Sequence, residues 1–348
     1  MADIIVSREI ARSIQLRYVR SDQKGFSRKT RGKKFIYFDT NGQEIKDPDI
    51  IQHIAGLVLP PAWTDVWICP FPNGHLQATG MDARGRKQYR YHTKWSHVRN
   101  EDKFSRLYTF GKKLPLLRKR ISRDIRRKSL TREKVSAIAL SVMNETFIRA
   151  GNTAYEKEYG SYGLTTLKNR HVAINGSSAF FRFKGKKGVL QQITLKHTAL
   201  TRLLGRVKEL PGQELFQYYD EEGTIHKLDS GDINTYLKVN MQEEFSCKDF
   251  RTWAGSVLTL RLMAQLPVPA SDADCKRNII AVVDAVAAKL GNTRAICRKY
   301  YIHPALLRTY EAGSLQDILE KLRKHNASPD LNLLSEKVLL SFLKQIAT

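Results

Sequence analysis

The stretch GRKQYRYHT, residues 85–93, carries an alternating pattern of side chains. Successive residues of a β-strand point to opposite faces, so Tyr89 and Tyr91 would share one face and Gln88 and Arg90 the other. Rings and cations arranged in this way suit a nucleic acid, because cations meet phosphates while aromatic side chains reach the grooves. The same alternation is also typical of an ordinary half-buried strand with a solvated basic face.

The periodicity differs on the two sides of this stretch. Upstream, KKFIYFDTNGQEI alternates around a turn signal at Asn41, and DVWIC and HLQATG are further strand candidates. Downstream, apolar residues such as Leu114 and Leu117 recur at helical spacing beside a basic face. We therefore predict an α+β protein, with a small β-rich N-terminal domain at residues 1–93 and a larger, mainly α-helical domain at residues 94–348.

One arginine stands out in the helical part. The segment LTREKVSAIALSVMNETFIRAGN has an apolar stripe through Val135, Ile138 and Val142. Helical spacing predicts that Arg149 lies in line with this stripe, just before a stop at Gly151. A guanidinium on the packed side of a helix needs an anion there. A structural salt bridge would meet that need as well as a ligand would.

The helical part also contains a predicted hairpin. SAFFRFKGKKGVLQQITL indicates two strands joined by residues 185–188, with Lys186 at the tip. Asp232 is a predicted N-cap in GDINTYL. Further helices are predicted around residues 253–265, 275–290, 315–325 and 335–346. The helical spacing in the second of these predicts a buried inner face made of Ile279, Val282, Val283, Val286 and Leu290.

The charge balance points to a polyanionic partner. The chain has 59 Lys and Arg residues against 34 Asp and Glu, a formal net charge of +25, which favours nucleic acid. No apolar run approaches the ~18 residues that indicate a membrane span. The N-terminus lacks the pattern of a secretory signal. The cysteines show no CxxC spacing, so we expect reduced thiols and a cytoplasmic, nucleoid-associated protein.

Several chemistries lack their motifs. The chain contains neither GxxxxGK[ST] nor GxGxxG, which disfavours nucleotide use. Asp272 and Asp274 follow Ser271 and are typical of the first turn of a helix rather than of a metal site. The absence of a His-rich ligand set or a carboxylate cluster disfavours metal-dependent cleavage. We therefore expect no metal and no cofactor.

A metal-free route to phosphodiester cleavage is still open. The segment LGNTRAICRKYYIHP, residues 290–304, holds Tyr300 and Tyr301 behind basic neighbours. A tyrosine phenol can attack phosphorus, but its ordinary pKa of about 10 makes it a poor nucleophile near neutral pH. Preorganised cations must meet the charge that develops, a task that suits arginine forks and lysine. Composition and periodicity leave the two tyrosines equivalent.

Four blocks carry a resemblance to a known family. IRAGNTAYEKEYGSYGLTTLKNRHV (148–172), KDFRTW (248–253) and LGNTRAICRKYY (290–301) resemble the signature of type IB DNA topoisomerases, in the compact group shared by poxviruses and bacteria. GHLQATGMDARGRKQYRYH (74–92) resembles the N-terminal domain of the same group. The order of the blocks and the intervals between them agree with that family.

The resemblance implies an active site. Arg149 and Arg251 correspond to the two phosphate-binding arginines of the family, and Lys186 to its lysine general acid. Tyr301, nine residues after Asn292, corresponds to the nucleophile. The poxvirus enzymes have histidine at the position of Asn292, whereas the bacterial ones resemble this chain. Phosphate recognition at that position should therefore be neutral and insensitive to pH.

The resemblance also implies contacts with duplex DNA. Lys248 matches a lysine that assists near the scissile phosphate, and Tyr155 matches a tyrosine that contacts DNA. Gln88, Tyr89 and Tyr91 match residues that face the major groove. The implied fold is a two-domain clamp whose catalytic domain is related to that of tyrosine recombinases. The implied enzyme is a monomer that relaxes positive and negative supercoils through a 3′-phosphotyrosyl intermediate, without ATP or metal.

Two alternatives are open. A tyrosine recombinase has a similar Arg, Lys, Arg and Tyr set, but it usually shows HxxR where this chain has KDFR at residues 248–251, and its N-terminal domain is helical. A non-catalytic protein that binds duplex DNA would explain the net charge of +25. Such a protein would not need Arg149, Lys186, Arg251 and Tyr301 together in these contexts.

Overall fold

The chain forms two compact units. The computed structural model describes residues 2–32, 34–83, 85, 87–325, 328 and 330–347. Contacts group the chain into Met1–Lys103 and Phe104–Thr348. The predicted boundary, between residues 93 and 94, falls at the start of a long helix that begins in the first unit and continues in the second.

The first unit is built on a five-stranded antiparallel sheet of order β2-β1-β3-β4-β5. Its strands are β1 Phe26–Arg31, β2 Lys34–Phe38, β3 Thr64–Ile68, β4 Leu76–Met81 and β5 Lys87–Tyr91. One core cluster beneath it contains Ile54, Val66, Ile68 and Ala78, all buried. The predicted β-sheet region at the N-terminus is therefore confirmed.

Two helices of this unit were not predicted from the sequence. They are α1 Ala2–Ser13 and α2 Pro48–Gly56. At the start of α2, the Asp47 side chain accepts a hydrogen bond of 2.9 Å from the backbone N–H of Asp49. Proline is tolerated at the first helical position, where its missing N–H has no partner to lose. An Asp-Pro pair ahead of apolar residues is thus a start signal that sequence reading could have used.

The turn predicted at Asn41 is present. The backbone N–H of Asp39 donates to the carbonyl of Gln43 at 2.8 Å, and Gly42 adopts a φ of +82°. Glycine suits this position because it lacks the Cβ that disfavours positive φ in other residues. Strand β2 nevertheless pairs with β1, along the whole length of β2.

The second unit is mainly helical. Besides the greater part of α3 Thr93–Ile125, it contains α4 Arg132–Thr146, α5 Thr153–Tyr159, α6 Thr198–Lys208, α7 Ser230–Met241, α8 Cys247–Gln265, α9 Asp272–Leu290, α10 Arg294–Tyr300, α11 Pro304–Glu311, α12 Gln316–Arg323 and α13 Leu331–Ala347. An antiparallel sheet joins β6 Val172–Asn175, β7 Ser178–Lys184 and β8 Leu190–Lys196, and β9 Gln217–Tyr219 pairs with β10 Ile225–Lys227. The predicted hairpin corresponds to β7 and β8. The third strand of this sheet, β6, was not predicted.

Helical periodicity identified the buried faces well. The predicted inner face of α9 is at most 2% exposed, and it comprises Ile279, Val282, Val283, Val286 and Leu290. On α3, Leu114 and Leu117 are likewise buried. The four cysteines, Cys69, Cys247, Cys275 and Cys297, are all free and buried.

Two local predictions were wrong. Helix α4 ends at Thr146, because Phe147 adopts a left-handed φ of 56° and its N–H bonds to the carbonyl of Met143. Arg149 therefore lies beyond the helix and not in line with its stripe. The N-cap of α7 is Asp229 rather than Asp232, which lies in the first turn and completes a capping box.

Candidate active site

Helix α8 carries two of the predicted site residues. A capping box fixes its start, in which the Asp249 carboxylate accepts a hydrogen bond of 2.8 Å from the backbone N–H of Ser246. Lys248 lies exposed in the first turn. Arg251, one turn further along, is only 4% exposed.

Arg251 joins the ends of two other helices. Its Nη2 donates to the carbonyl of Leu290, the last residue of α9, at 2.6 Å. Its Nη1 donates to the carbonyl of Phe147, at the end of α4. Such carbonyls have no partner within their own helix and are free to accept. The Nε atom of Arg251 is buried and has no hydrogen-bond partner within the described part of the chain.

Arg149 is held in an irregular segment after α4. Its carbonyl accepts from Leu164 N–H at 2.7 Å, and the carbonyl of Ala150 accepts from Thr165 N–H at 2.7 Å. The backbones come very close here, because a Cβ atom on Gly163 would lie 2.6 Å from the backbone nitrogen of Gly151. A short 3₁₀-helix, Leu164–Thr166, thus fixes the backbone from which the Arg149 side chain extends.

A turn at the end of α9 receives both arginines. Arg149 Nη2 donates to the carbonyl of Gly291 at 2.8 Å and to the side-chain oxygen of Asn292. The preceding carbonyl, that of Leu290, is the acceptor for Arg251. Gly291 ends the helix with a φ of 59°, a conformation that costs other L-residues free energy. The Nδ2 atom of Asn292 is buried, and among the described residues it has no partner.

The electrostatics of this turn favour an anion. The two guanidinium groups donate hydrogen bonds to three backbone carbonyls and an amide oxygen, none of which carries charge. Burial, and next the positive charge of Arg149, lower the pKa of Arg251 to about 10, while Tyr301 opposes the shift. Burial also lowers the pKa of Arg149. Both guanidinium groups stay protonated near neutral pH, and a bound anion would stabilise that state.

Tyr301 lies beside Arg251. It closes α10, where its N–H donates to the carbonyl of Cys297 at 2.9 Å. The Cζ atom of Arg251 is 5.1 Å from the centre of the Tyr301 ring. A Cβ atom on Gly255 of α8 would lie 2.4 Å from the Tyr301 carbonyl, so only glycine permits this packing. The structure thus brings together Tyr301, Arg251, Arg149 and Asn292.

Lys186 lies at the exposed tip of the β7–β8 hairpin. The strands end at the pair Lys184 and Leu190, and Gly185 N–H donates to the carbonyl of Val189 at 2.8 Å to close the loop. Lys187 adopts a φ of 65°. The loop presents both of its lysines to solvent, as the sequence predicted.

The other predicted DNA-contacting residues lie on separate elements. Tyr155 is 47% exposed on the short helix α5. Tyr89 and Tyr91 lie on β5, where their rings stack with centroids 6.0 Å apart, which confirms that they share a face. Gln88 donates through Nε2 to the Asp82 carboxylate at 2.9 Å.

Among the described residues, no group of three or more His, Cys, Asp or Glu side chains could hold a metal ion. No described helix is both long and apolar enough to cross a membrane.

Comparison with known proteins decides the family. Residues 92–328 match the family described as the catalytic core of eukaryotic DNA topoisomerase I, and residues 34–82 match the N-terminal domain of bacterial DNA topoisomerase IB. The chain belongs to the type IB DNA topoisomerase family. It is therefore an enzyme, an isomerase that acts on DNA.

Viral members of the type IB family are similar over most of their length. A DNA topoisomerase 1B from Acanthamoeba polyphaga mimivirus is 33% identical over 297 residues, 83% of this chain and 88% of that protein. The DNA topoisomerase 1B of vaccinia virus (strain Copenhagen) is 24% identical and covers 78% of this chain and 85% of its own. A DNA topoisomerase 1 from rabbit fibroma virus is 26% identical, with 74% and 80% covered.

The matched ranges include most, but not all, of the predicted site residues of this topoisomerase. Arg149, Lys186, Arg251, Asn292 and Tyr301 all lie within the catalytic-core match. Lys248 and Tyr155 lie within it too. Gln88, Tyr89 and Tyr91 fall between the two matched ranges.

Sequence reading missed the groups that hold the arginines of the topoisomerase in place. These are the backbone carbonyls of Phe147, Leu290 and Gly291, and the close-packed Gly163 and Gly255. Only the Leu-Gly pair at the end of a helical pattern gave a usable signal, because glycine commonly ends helices and leaves the last carbonyls open. The sequence around Gly163 and Gly255 shows no pattern that predicts close contact between backbones.

Proposed function

We propose that Arg149, Arg251, Asn292 and Tyr301 form the site at which this topoisomerase opens and reseals one DNA strand. The observation that carries the proposal is a pair of buried donors, Arg251 Nε and Asn292 Nδ2, that lack a partner among the described residues. A buried donor without an acceptor costs about 1–3 kcal/mol. The nonbridging oxygens of a scissile phosphate would supply the missing acceptors.

The reaction follows from this arrangement. The Tyr301 oxygen forms a bond to phosphorus as the bond from phosphorus to the 5′ oxygen breaks, which leaves a 3′-phosphotyrosyl link. The phenol proton passes to solvent, and the Lys186 ammonium donates a proton to the 5′ oxygen as it leaves. In the reverse step the 5′-hydroxyl attacks the phosphotyrosine and restores the strand. Between the two steps the downstream duplex rotates, which removes positive or negative supercoils.

The two guanidinium groups supply the charge that this chemistry needs. Negative charge builds up on the phosphorane oxygens, and preorganised donors that already point at it stabilise the transition state. Arg149 and Arg251 are held by neutral acceptors, so their charge is available to the phosphate. We therefore propose a cleavage step that requires no metal. The ester to Tyr301 conserves the energy of the phosphodiester bond, so religation requires no ATP.

We propose that duplex DNA is held by residues outside this cluster. Lys248, exposed at the start of α8, would contact a phosphate near the cleavage point, and Tyr155 would contact the duplex from α5. Gln88, Tyr89 and Tyr91 on β5 would face the major groove. We also propose that the two domains form a clamp on DNA and that the catalytic domain is related to that of tyrosine recombinases. The protein would act as a monomer and associate with the nucleoid.

Relaxation of a supercoiled plasmid tests the proposal. The protein is incubated with the plasmid in EDTA, without ATP, and the products are separated by electrophoresis. Relaxed topoisomers are the expected result. A shifted band that is still supercoiled would instead identify a protein that binds DNA without cutting it. Covalent attachment without relaxation would favour a recombinase.

A further inference from the structure

Gln191 interrupts an apolar row on the inner face of β8. Side chains of a strand alternate between faces, so Gln191, Ile193 and Leu195 share one. Leu195 is buried and Ile193 packs against the core. The strand residue opposite Gln191, Phe183, is buried as well. A polar residue on a core-facing row is a departure from pattern, and such departures tend to occur at functional sites.

The Gln191 side chain lies against two glycines of the site. A Cβ atom on Gly185 would lie 2.9 Å from Gln191 Cγ. A Cβ atom on Gly291 would lie 3.0 Å from Gln191 Oε1. Gly185 directly precedes Lys186, and the Gly291 carbonyl is the acceptor for Arg149. Gln191 therefore lies between the lysine loop and the turn that receives the arginines.

A backbone hydrogen bond holds the other strand of the hairpin, β7. The carbonyl of Lys184 accepts a hydrogen bond of 2.8 Å from Tyr162 N–H. Two residues later, Leu164 N–H donates to the carbonyl of Arg149 at 2.7 Å. The β7 side of the loop is thus fixed to the Arg149 segment through the backbone. On the β8 side, the corresponding contact with the site is made by the side chain of Gln191.

We infer that Gln191 is a positioning residue that holds the Lys186 loop on the Gly291 turn. It does so by filling the space between Gly185 and Gly291, where, among the described residues beyond the immediate chain neighbours, its atoms are the nearest that a Cβ on either glycine would meet. The position of the Lys186 ammonium relative to the phosphate depends on this contact. The inference rests on the general-acid role proposed above for Lys186.

The test uses two DNA substrates that differ in one atom. In the second substrate, sulfur replaces the bridging 5′ oxygen at the cleavage point. A thiolate leaves without a proton, so cleavage of this substrate does not need a general acid. Single-turnover cleavage is measured for Gln191→Ala and for the matched control Gln192→Ala, which alters the next residue, exposed on the opposite face of β8. Lys186→Ala and Arg149→Ala serve as reference variants.

Gln191→Ala should cleave ordinary DNA roughly 10- to 100-fold more slowly than wild type, the scale of a misplaced catalytic group. On the sulfur substrate its rate should return to within about threefold of wild type, as should that of Lys186→Ala. Gln192→Ala should match wild type on both substrates, and Arg149→Ala should be slow on both. Gln191→Met, which keeps the volume that fills the space between Gly185 and Gly291, should cleave both substrates at close to the wild-type rate.

A Gln191→Ala rate equal to wild type on ordinary DNA would overturn the inference. So would equal slowing on both substrates, since that would place Gln191 in support of the arginines alone. If Lys186→Ala were slow on the sulfur substrate too, the general-acid role of Lys186 would fail, and the inference about Gln191 with it. Rescue of Lys186→Ala without rescue of Gln191→Ala would overturn the inference about Gln191 alone.

Discussion

The guanidinium of Arg251 donates a hydrogen bond of 2.6 Å to the carbonyl of Leu290, the last residue of α9. The same group donates to the carbonyl at the end of α4 and lies beside Tyr301. One buried side chain thus ties together the ends of two helices and adjoins the proposed nucleophile. The planar fork of arginine is suited to several acceptors at once, whereas a lysine ammonium is a point charge.

Arg251→Lys should therefore lower the rate of strand cleavage by about 100-fold, the order of loss measured when a preorganised donor is removed. A lysine keeps the charge, but its donors all lie on one nitrogen, which cannot reach both carbonyls and the phosphate from the separate positions that the planar fork occupies. The measurement is single-turnover cleavage of a duplex. Arg261→Lys, further along the same helix, is the matched control and should cleave like wild type. Near wild-type cleavage by Arg251→Lys would contradict the role assigned to Arg251.

Asn292→His should introduce a dependence on pH that the wild-type protein lacks at this position. An amide does not titrate, whereas imidazole gains a proton near pH 6.5 and then donates with positive charge. The ratio of the cleavage rate of Asn292→His to that of wild type should rise as pH is lowered from 8 to 6. Rates measured across this interval provide the check. A constant ratio would show that position 292 makes no contact with the phosphate that charge can strengthen.

Gly163→Ala should lower both activity and stability. Its Cβ atom would meet the backbone of Gly151 and push apart the segment that carries Arg149. We expect a loss of about 1–3 kcal/mol in the free energy of unfolding, typical of an overpacked site. Gly205→Ala on α6 is the control, since the nearest atom to its Cβ would be 4.0 Å away. In a helix that change should be neutral or stabilising by up to about 1 kcal/mol. Equal effects of the two substitutions would argue against the close packing of Gly163.

His303 should make the protein less stable in mild acid. It caps α11 through Nδ1, which accepts from Ala305 N–H at 3.2 Å, and its ring packs against Phe104. Burial, and next the charge of Arg308, lower the pKa of His303 to about 4. The unfolded chain binds this proton near pH 6.5, so the stabilisation is complete above that pH and is lost as pH falls toward 4, by up to about 3 kcal/mol.

The check on His303 is the free energy of unfolding of wild type and His303→Asn, measured between pH 7 and 4.5. Asparagine also caps helices but does not titrate. The advantage of wild type over the variant should shrink as the solution is acidified. If the difference were independent of pH, His303 would not be held neutral in the folded protein.

Much of the fold could be predicted from periodicity, because burial imposes it directly. The inner face of α9 and the alternation of Tyr89 and Tyr91 on β5 follow from the geometry of a helix and a strand. The end of α4 could not be predicted in this way. Phe147 adopts a left-handed conformation that its residue type disfavours, and tertiary contacts around Arg149 overrule that local preference.

The candidate site could likewise be predicted only in part. Residue types and intervals, through the family they resemble, named Arg149, Arg251, Asn292 and Tyr301. The carbonyls of Leu290 and Gly291, which hold the arginines, belong to the backbone and leave no mark on residue identity beyond the glycine itself. Convergence of segments so distant in sequence depends on how α4, α8 and α9 pack, which spacing along the chain does not determine.

The two adjacent tyrosines give the most direct test of the proposed active site. Tyr301 lies beside Arg251, whereas the ring of Tyr300 lies near Lys299. The measurement is the amount of covalent protein–DNA adduct trapped on a duplex by denaturation, for wild type, Tyr301→Phe and Tyr300→Phe. We expect adduct with wild type and with Tyr300→Phe, and none with Tyr301→Phe. Adduct that persists in Tyr301→Phe would contradict the central claim.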